Sequence, residues 1–365
     1  MPPAASLDDL RQSIAALDRS LLELLAERMR LSAEVGRLKA EAGTPIVARE
    51  VEALVLEQAR EYAAHCGIAE ETLASIYREI LRGSVERQHR VGVERRAARG
   101  GRVLAIGGAG DMGRWFHGFL GLAGHQVESV DPHHGSYSRL DQVADLGVYT
   151  AILVSVPLDR TAAVLEELVE RRPAAPVVEI ASIKSPLGPA LALADAGGVR
   201  VICLHPMFGP GKSPYEALTF VLASRGETDV ELAQLDALLQ HPYTRVVAVP
   251  FERHDRIMGW LLGLAHLNGM LFGAALARAD LEAAELHDCA STTFLRQVST
   301  SLSVLDQDPH LYLDIQHLNP HRSEVYAATR AALEELIALV ERRDLASFEA
   351  LLERARSNLV APASA

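Results

Sequence analysis

The chain has 365 residues, enough for two or three domains with real hydrophobic cores, and its 49% hydrophobic and 23% charged side chains exclude a disordered tail or a fibrous repeat. Thirty-six Lys and Arg against 48 Asp and Glu leave a formal charge of −12. Such a field repels nucleic acid and anionic membranes, so neither is expected as a partner, and an anionic substrate has to be caught by local cations.

Cys66, Cys203 and Cys289 are odd in number and lack a C-x-x-C spacing. They are expected as core thiols in a reducing compartment, with no disulfide framework and no metal site. The N-terminus, Met1 to Asp9, carries neither a basic start nor an apolar run, so the expected location is cytoplasmic. Charge is split unevenly, with net −1 over residues 1–100 and net −11 over the remainder. The split suggests an all-α module at 1–92, a basic linker at 93–101 ending in Gly100-Gly101, an α/β module at 102–250 and an all-helical module at 251–365.

Ser6-Leu-Asp-Asp9 reads as a capping box and predicts a long first helix to about Lys39. Leu7, Leu10, Ile14, Leu17, Leu21, Leu24, Leu31, Val35 and Leu38 step by three and four along it, the seam of a helix lying against another helix. Arg28 occupies a seam slot, and Lys39 follows three turns later, about 16 Å on, on nearly the same face. Two cations aimed into a helical core call for an anion there. Helices are predicted over roughly 49–65 and 70–88, the latter placing Ser84 and Gln88 on one face.

Beyond the linker, strand and helix alternate. Strands are predicted at 102–106, 126–130, 151–156, 177–181, 201–204, 220–223 and 246–249, giving a doubly wound Rossmann-type sheet, followed by helices to Leu359. Residues 258–277 form a run of 20 without a formal charge, long enough to cross a bilayer, but it contains His266 and Asn268 and stands alone. It is expected as a buried helix packed in a subunit interface.

Gly108-Ala-Gly110-Asp111-Met112-Gly113 directly follows the first strand and opens a helix, and Asp131 ends the next strand. Glycines there let the backbone approach a pyrophosphate on the helix N-terminus, while the acid accepts ribose hydroxyls and favours NAD over its 2′-phosphorylated relative. Ala181-Ser182-Ile183-Lys184 and Leu204-His205-Pro206-Met207-Phe208-Gly209-Pro210 sit just past strand ends, where open α/β sheets bind ligands. A neutral His205 can take a proton from a substrate hydroxyl while hydride leaves the same carbon, with Ser182 and Lys184 orienting or neutralising the substrate.

With these residues in place, the first 90 residues resemble the all-helical chorismate mutases, and the rest resembles prephenate dehydrogenase, most specifically in the ASIK and LHPMFGP segments. The order is that of the bifunctional chorismate mutase–prephenate dehydrogenases. For the first module the resemblance implies an intertwined homodimer and a cofactor-free pericyclic rearrangement of chorismate. Arg28, Lys39, Ser84 and Gln88 would line its pocket and Arg11 would arrive from the partner chain, with electrostatic complementarity to a compact, polarised transition state as the catalytic device. Seventeen residues from Arg11 to Arg28 turn a helix about 100° off a common face, which suits service to another subunit. Where the family has Arg-Glu opening the second helix, the ungapped match gives Val51-Glu52, and a two-residue shift gives Arg49-Glu50.

For the second module the resemblance implies oxidative decarboxylation of prephenate to 4-hydroxyphenylpyruvate with NAD. Hydride would pass to the nicotinamide, His205 would accept the hydroxyl proton with help from Ser182, and Lys184 and His254 would lie near substrate or cofactor. Relatives carry a carboxylate-binding arginine where the ungapped match gives Ser303, and Arg296, seven residues earlier, or Lys212 are the candidates to replace it. Two alternatives follow from these departures: the same chemistry on 4-amino-4-deoxychorismate and 4-amino-4-deoxyprephenate, or a degenerate dehydrogenase domain serving as a binding module.

Overall fold

Helix α1 (Leu7–Ala42) starts where expected, because Ser6 and Asp9 cap it reciprocally: Ser6 N–H donates to Asp9 Oδ2 at 2.9 Å and Asp9 N–H to Ser6 Oγ at 3.2 Å. The computed structural model describes residues 6–42, 49–96, 100–239 and 244–360. These fall into two units, one within Met1–Val156, Ala163–Ala181 and Leu191–Ala248, the other within Pro157–Ala162, Ser182–Ala190 and Val249–Ala365.

In the first unit α1 packs on α3 (Glu70–Arg96), which also packs on α2 (Arg49–Cys66). Helix α3 does not stop near Gln88 but runs into the segment expected as linker. Residues 89–96 hold no proline and only one glycine, so nothing there breaks a helix before Gly100-Gly101. The apolar seam finds no cover along the first half of α1. Leu7, Leu10, Ile14, Leu17, Leu21 and Leu24 are all more than half exposed, with Leu17 at 65%. A row of solvated leucines on a long helix marks a surface made to be covered.

The sheet of this unit has strands β1 (Arg102–Ile106), β2 (Gln126–Val130), β3 (Ala151–Val154), β4 (Val177–Glu179), β5 (Val201–Pro206), β6 (Leu218–Ser224) and β7 (Thr244–Pro250), in spatial order β2-β1-β3-β4-β5-β6-β7. The first five are parallel. Strand β6 runs antiparallel to β5, with His205 opposite Val221, because the short connection between them carries no crossover helix. Strand order reverses on the two sides of β1, which places a ligand crevice at the C-terminal ends of β1 and β3.

Helix α4 (Asp111–Leu122) buries Phe116 and Phe119 against β-strand residues including Val103, Leu153 and Phe220, each ring stabilising the fold by about 1.5–3 kcal/mol through burial. Trp115 stacks on Phe119 with ring centroids 4.9 Å apart, and its Nε1–H donates to the Lys212 carbonyl at 2.7 Å. The loop after His205 is thereby tied to the helix that begins at the glycine-rich turn. Of the three cysteines only Cys203, on β5, is a core thiol; Cys66 and Cys289 are exposed, each near the C-terminal end of a helix rather than on its packed face.

Helices α5 (Leu158–Arg171), α6 (Gly188–Gly197) and α7 (Thr228–Leu239) lie between the later strands. The second unit contains α8 (Phe251–Met258), a single π-helical turn at Gly259–Gly263, α9 (Leu264–Leu276), α10 (Ala283–Asp288), α11 (Thr292–Leu305), α12 (Pro309–His317), α13 (Arg322–Arg342) and α14 (Leu345–Leu359). The uncharged stretch is not buried within the chain, as expected for a core helix: only 17% of the apolar window in Phe251–Leu276 is buried, and Leu261 and Leu271 are exposed. Helix α11 packs on α9, and α12 and α13 pack on the π turn.

Candidate active sites

In the helical module the structure brings Arg28 and Ser84 together. Arg28 Nη1 donates to Ser84 Oγ and, at 3.4 Å, to the Ile80 carbonyl, while Ser84, 4% exposed, donates its own proton to that carbonyl at 2.8 Å. Neither partner of the half-buried guanidinium is charged, so its positive charge remains available to an anion. One turn further along α3, Gln88 Oε1 is buried without a hydrogen-bond partner, an omission that costs about 1–3 kcal/mol unless a ligand supplies the donor. The backbone of Gln88 lies against Gly36 of α1, and Lys39, half-buried, follows three residues after that glycine.

Arg11 does not join this cluster within the chain. It lies about 25 Å up the helix from Arg28 by helical rise, is exposed, and pairs with Asp8 at 3.4 Å. Val51 and Glu52 lie on α2 together with Arg49 and Glu50, but all four side chains are outside the described residues.

The glycine-rich turn follows β1 as the sequence requires. A Cβ on Gly113 would lie 2.1 Å from the Gly107 carbonyl oxygen, so this glycine is imposed by the turn itself. Gly110, the residue before α4, has ordinary extended angles (φ −64°, ψ 162°), and a Cβ there would meet only the Gly107 oxygen at 3.4 Å. Nothing in the protein demands a glycine at 110, whereas a ligand backed closely onto the helix N-terminus would. Asp131, 7% exposed, accepts the Ala109 N–H on Oδ2 and the His133 N–H on Oδ1, both at 3.0 Å. Each carboxylate oxygen retains a lone pair for a ribose hydroxyl. Met112 packs partly into the sheet core, and Asp111 is exposed and paired with Arg114. The donor set fits a dinucleotide with unmodified ribose.

His205, 3% exposed, ends β5 in the first unit. Ser182, Lys184 and His254 belong to the second. There a group that sequence reasoning passed over, Asp255, holds the arrangement together. Its Oδ1 accepts from the Lys184 N–H at 2.9 Å and lies 2.7 Å from His254 Nδ1, and its Oδ2 accepts from the Ser185 N–H at 2.6 Å. His254 and Lys184 are fully buried and Asp255 is 2% exposed. Burial acts to raise the Asp255 pKa, but the hydrogen bonds from His254, Ser185 and Lys184 outweigh it and bring the carboxyl down to about 2. Asn319 Nδ2 donates to the Asp255 carbonyl at 2.8 Å, and Gln316 Nε2 to the Gly263 carbonyl at 2.9 Å. These two side chains satisfy backbone around the π turn.

Of the positions considered for binding a substrate carboxylate, Arg296 and Ser303 are exposed on α11, and Lys212 is paired with Glu216.

A helical module holding a half-buried arginine against uncharged partners, followed by a dinucleotide-binding sheet and a helical domain, defines a fused two-site enzyme with a redox half. A family model for chorismate mutase type II matches residues 10–89, and one for the prephenate dehydrogenase dimerization domain matches residues 250–354. The T-protein of Enterobacter agglomerans is 28% identical over 350 residues, covering 96% of this chain and 92% of that protein. The 4-amino-4-deoxyprephenate dehydrogenase of Streptomyces pristinaespiralis is 28% identical over 274 residues, 71% of this chain and 91% of that protein. Among solved structures, prephenate dehydrogenase from A. aeolicus in complex with hydroxyphenyl propionate and NAD+ shares the fold at a TM-score of 0.55 and 18% identity, over 71% of this chain and 98% of that one. The chain thus joins a chorismate mutase type II domain to a prephenate dehydrogenase dimerization domain, in the order of the T-protein it resembles.

Proposed function

We propose that this chain rearranges chorismate to prephenate in its helical module and oxidatively decarboxylates prephenate to 4-hydroxyphenylpyruvate with NAD in the remainder. The carrying observation is that the match to a T-protein runs through both modules in the same order over 96% of the chain. Relatives named for amino-substituted substrates match one module each, a 4-amino-4-deoxyprephenate dehydrogenase over 71% of the chain and a 4-amino-4-deoxychorismate mutase over 20%. The hydroxyl substrates are therefore the better-supported reading. The domain division is a helical module reaching Arg96, a sheet domain over 102–250 and a helical domain from 251 onward, the protein is a cytoplasmic homodimer joined through both helical regions, and the matched dimerization-domain family supports the second contact.

In the mutase pocket Arg28, Lys39 and the partner subunit's Arg11 bind the two carboxylates and the ether oxygen, with Ser84, Gln88 and Glu52 completing the wall. No covalent or acid–base step is needed: the ether C–O bond breaks as a C–C bond forms, and fixed cations stabilise the polarised transition state. In the dehydrogenase, Gly108, Gly110, Asp111, Met112, Gly113 and Asp131 hold NAD, which when bound supplies the hydride acceptor. His205 receives the hydroxyl proton, assisted by Ser182, while Lys184, His254 and Arg296 serve the substrate. Loss of carbon dioxide leaves an aromatic ring, which drives the oxidation forward.

His205→Asn is expected to abolish NADH formation from prephenate and to leave mutase turnover intact, and Arg28→Ala to do the reverse. Loss of both activities in either variant would contradict two separate sites.

A further inference from the structure

We propose that Asp255 is a positioning residue for the dehydrogenase reaction, fixing His254 as the tautomer that carries its proton on Nδ1. The inference deepens the dehydrogenase reading and rests on it for its kinetic consequence, but its structural content stands on hydrogen-bond logic alone.

Two backbone amides converge on the Asp255 carboxylate alongside the His254 ring and the Ser185 hydroxyl. The Lys184 N–H reaches Oδ1 at 2.9 Å and the Ser185 N–H reaches Oδ2 at 2.6 Å, and an amide N–H can only donate. Both oxygens are thus committed as acceptors. His254 Nδ1 faces the same Oδ1 at 2.7 Å, so Nδ1 has to bring the proton to that contact. The histidine does not choose its tautomer; the main-chain amides of Lys184 and Ser185 choose it through Asp255. The hydrogen bonds that lower the Asp255 carboxyl to about 2 keep it ionised throughout the neutral range, which makes it an acceptor at every pH of interest.

The frame around this pair is rigid. The carbonyl of Asp255 is held by Asn319, which is 3% exposed. One π turn later the Gly263 carbonyl is held by Gln316, whose Oε1 accepts from the Tyr326 hydroxyl at 2.8 Å. Neighbouring residues on a helix point about 100° apart, so a hydrogen bond between the side chains of residues 254 and 255 forms only where both are clamped.

The chemical consequence concerns Nε2. In the neutral ring of the Nδ1–H tautomer, Nε2 is the acceptor, so His254 receives a hydrogen bond from a hydroxyl or takes up a proton, and the adjacent carboxylate stabilises the imidazolium if it does. With the other tautomer His254 would present a donor instead, and the same side chain would fail in an accepting role.

Full-length protein carrying 15N-labelled histidine gives the direct test. Two-bond 1H–15N spectra at pH 8, with the His254 signals assigned by their loss in His254→Asn, are expected to show Nδ1 protonated and Nε2 bare. A protonated Nε2 in the wild type overturns the proposal without any variant at Asp255, and this arm holds even if the protein does not oxidise prephenate. The second arm is a double-mutant comparison of kcat for prephenate oxidation. Asp255→Asn is expected to lower kcat by about tenfold or more in the wild type and by less than about twofold in the His254→Asn background. Full activity in Asp255→Asn, or equal losses in both backgrounds, would reduce Asp255 to a staple between two segments and refute the positioning role. If Asp255→Asn does not fold, the wild-type tautomer still decides.

Discussion

Gly110 and Gly113 lie one helical turn apart at the same turn, yet the geometry assigns them opposite reasons for being glycine, and substituting each by alanine separates the two. At Gly113 an added Cβ would sit 2.1 Å from the Gly107 carbonyl oxygen and 2.8 Å from the Gly108 Cα. Backbone has to move by about 1 Å to admit it, an overpacking that costs about 1–3 kcal/mol and opens the turn. At Gly110 the nearest atom to an added Cβ is 3.4 Å away, an ordinary contact, and the backbone angles suit any residue. Gly110→Ala should therefore leave the unfolding midpoint within about 0.5 kcal/mol of wild type. Its methyl group would nevertheless occupy the space where a pyrophosphate approaches the helix N-terminus. NAD titrations read through tryptophan fluorescence, since Trp115 lies on the same helix, should show affinity falling about tenfold or more in both variants, with stability falling only in Gly113→Ala. Unchanged NAD affinity in Gly110→Ala would refute the assignment of this turn as the pyrophosphate cradle.

Gly36→Ala would place a Cβ 2.6 Å from the Gln88 Cα, wedging α1 from α3 at the mutase pocket; mutase turnover should fall about tenfold or more while NADH formation from prephenate is retained, and an unaffected mutase would exclude Gln88 from the reaction. Leu17→Glu puts a charge on a residue already 65% exposed in the single chain, so folding should survive, but a covering second copy would be repelled and the partner's Arg11 lost. Mutase kcat/KM is expected to drop while the helical content by circular dichroism holds; unchanged mutase kinetics would argue against an intertwined pocket. Asp255 is expected to make an acid-dependent contribution to stability. Its folded pKa of about 2 lies below the usual 3.8, so its contribution is fully present above about pH 4 and is lost as pH falls through about 2. The difference between 3.8 and 2 corresponds to about 2 kcal/mol, and the gap in denaturant midpoint between wild type and Asp255→Asn should shrink from pH 5 to pH 2. A gap independent of pH would contradict an ionised, hydrogen-bonded carboxylate.

Much of this molecule is legible in one dimension because its signals are local. The capping box at Ser6 and Asp9, the glycine spacing after a buried strand and the acid closing the next strand each involve residues within a few positions of one turn, and the first two strands lie where alternation and burial place them. Arg28 was visible as a break in an apolar period, and its meeting with Ser84 follows from two helices packing along that period. What the sequence hid depends on distant segments. Asp255 reads as one more surface acid beside a histidine; only the amides of Lys184 and Ser185, some 70 positions earlier, make it a buried acceptor. The basic composition of residues 93–96 reads as a linker in sequence, yet Arg and Glu extend a helix readily and the single Gly92 costs too little to end it, so α3 runs on to Arg96. The uncharged stretch after Met258 could not be assigned to core or interface by composition, since both are apolar; in the chain itself most of it is uncovered.

The central claim is that one chain carries chorismate through two successive reactions. Supplying the purified protein with chorismate and NAD tests it in one vessel, by absorbance for NADH and by mass for the organic product. The account predicts one NADH per chorismate consumed and a product with the mass of 4-hydroxyphenylpyruvate. Prephenate accumulating without NADH, or a higher kcat/KM for the 4-amino analogue, would contradict it.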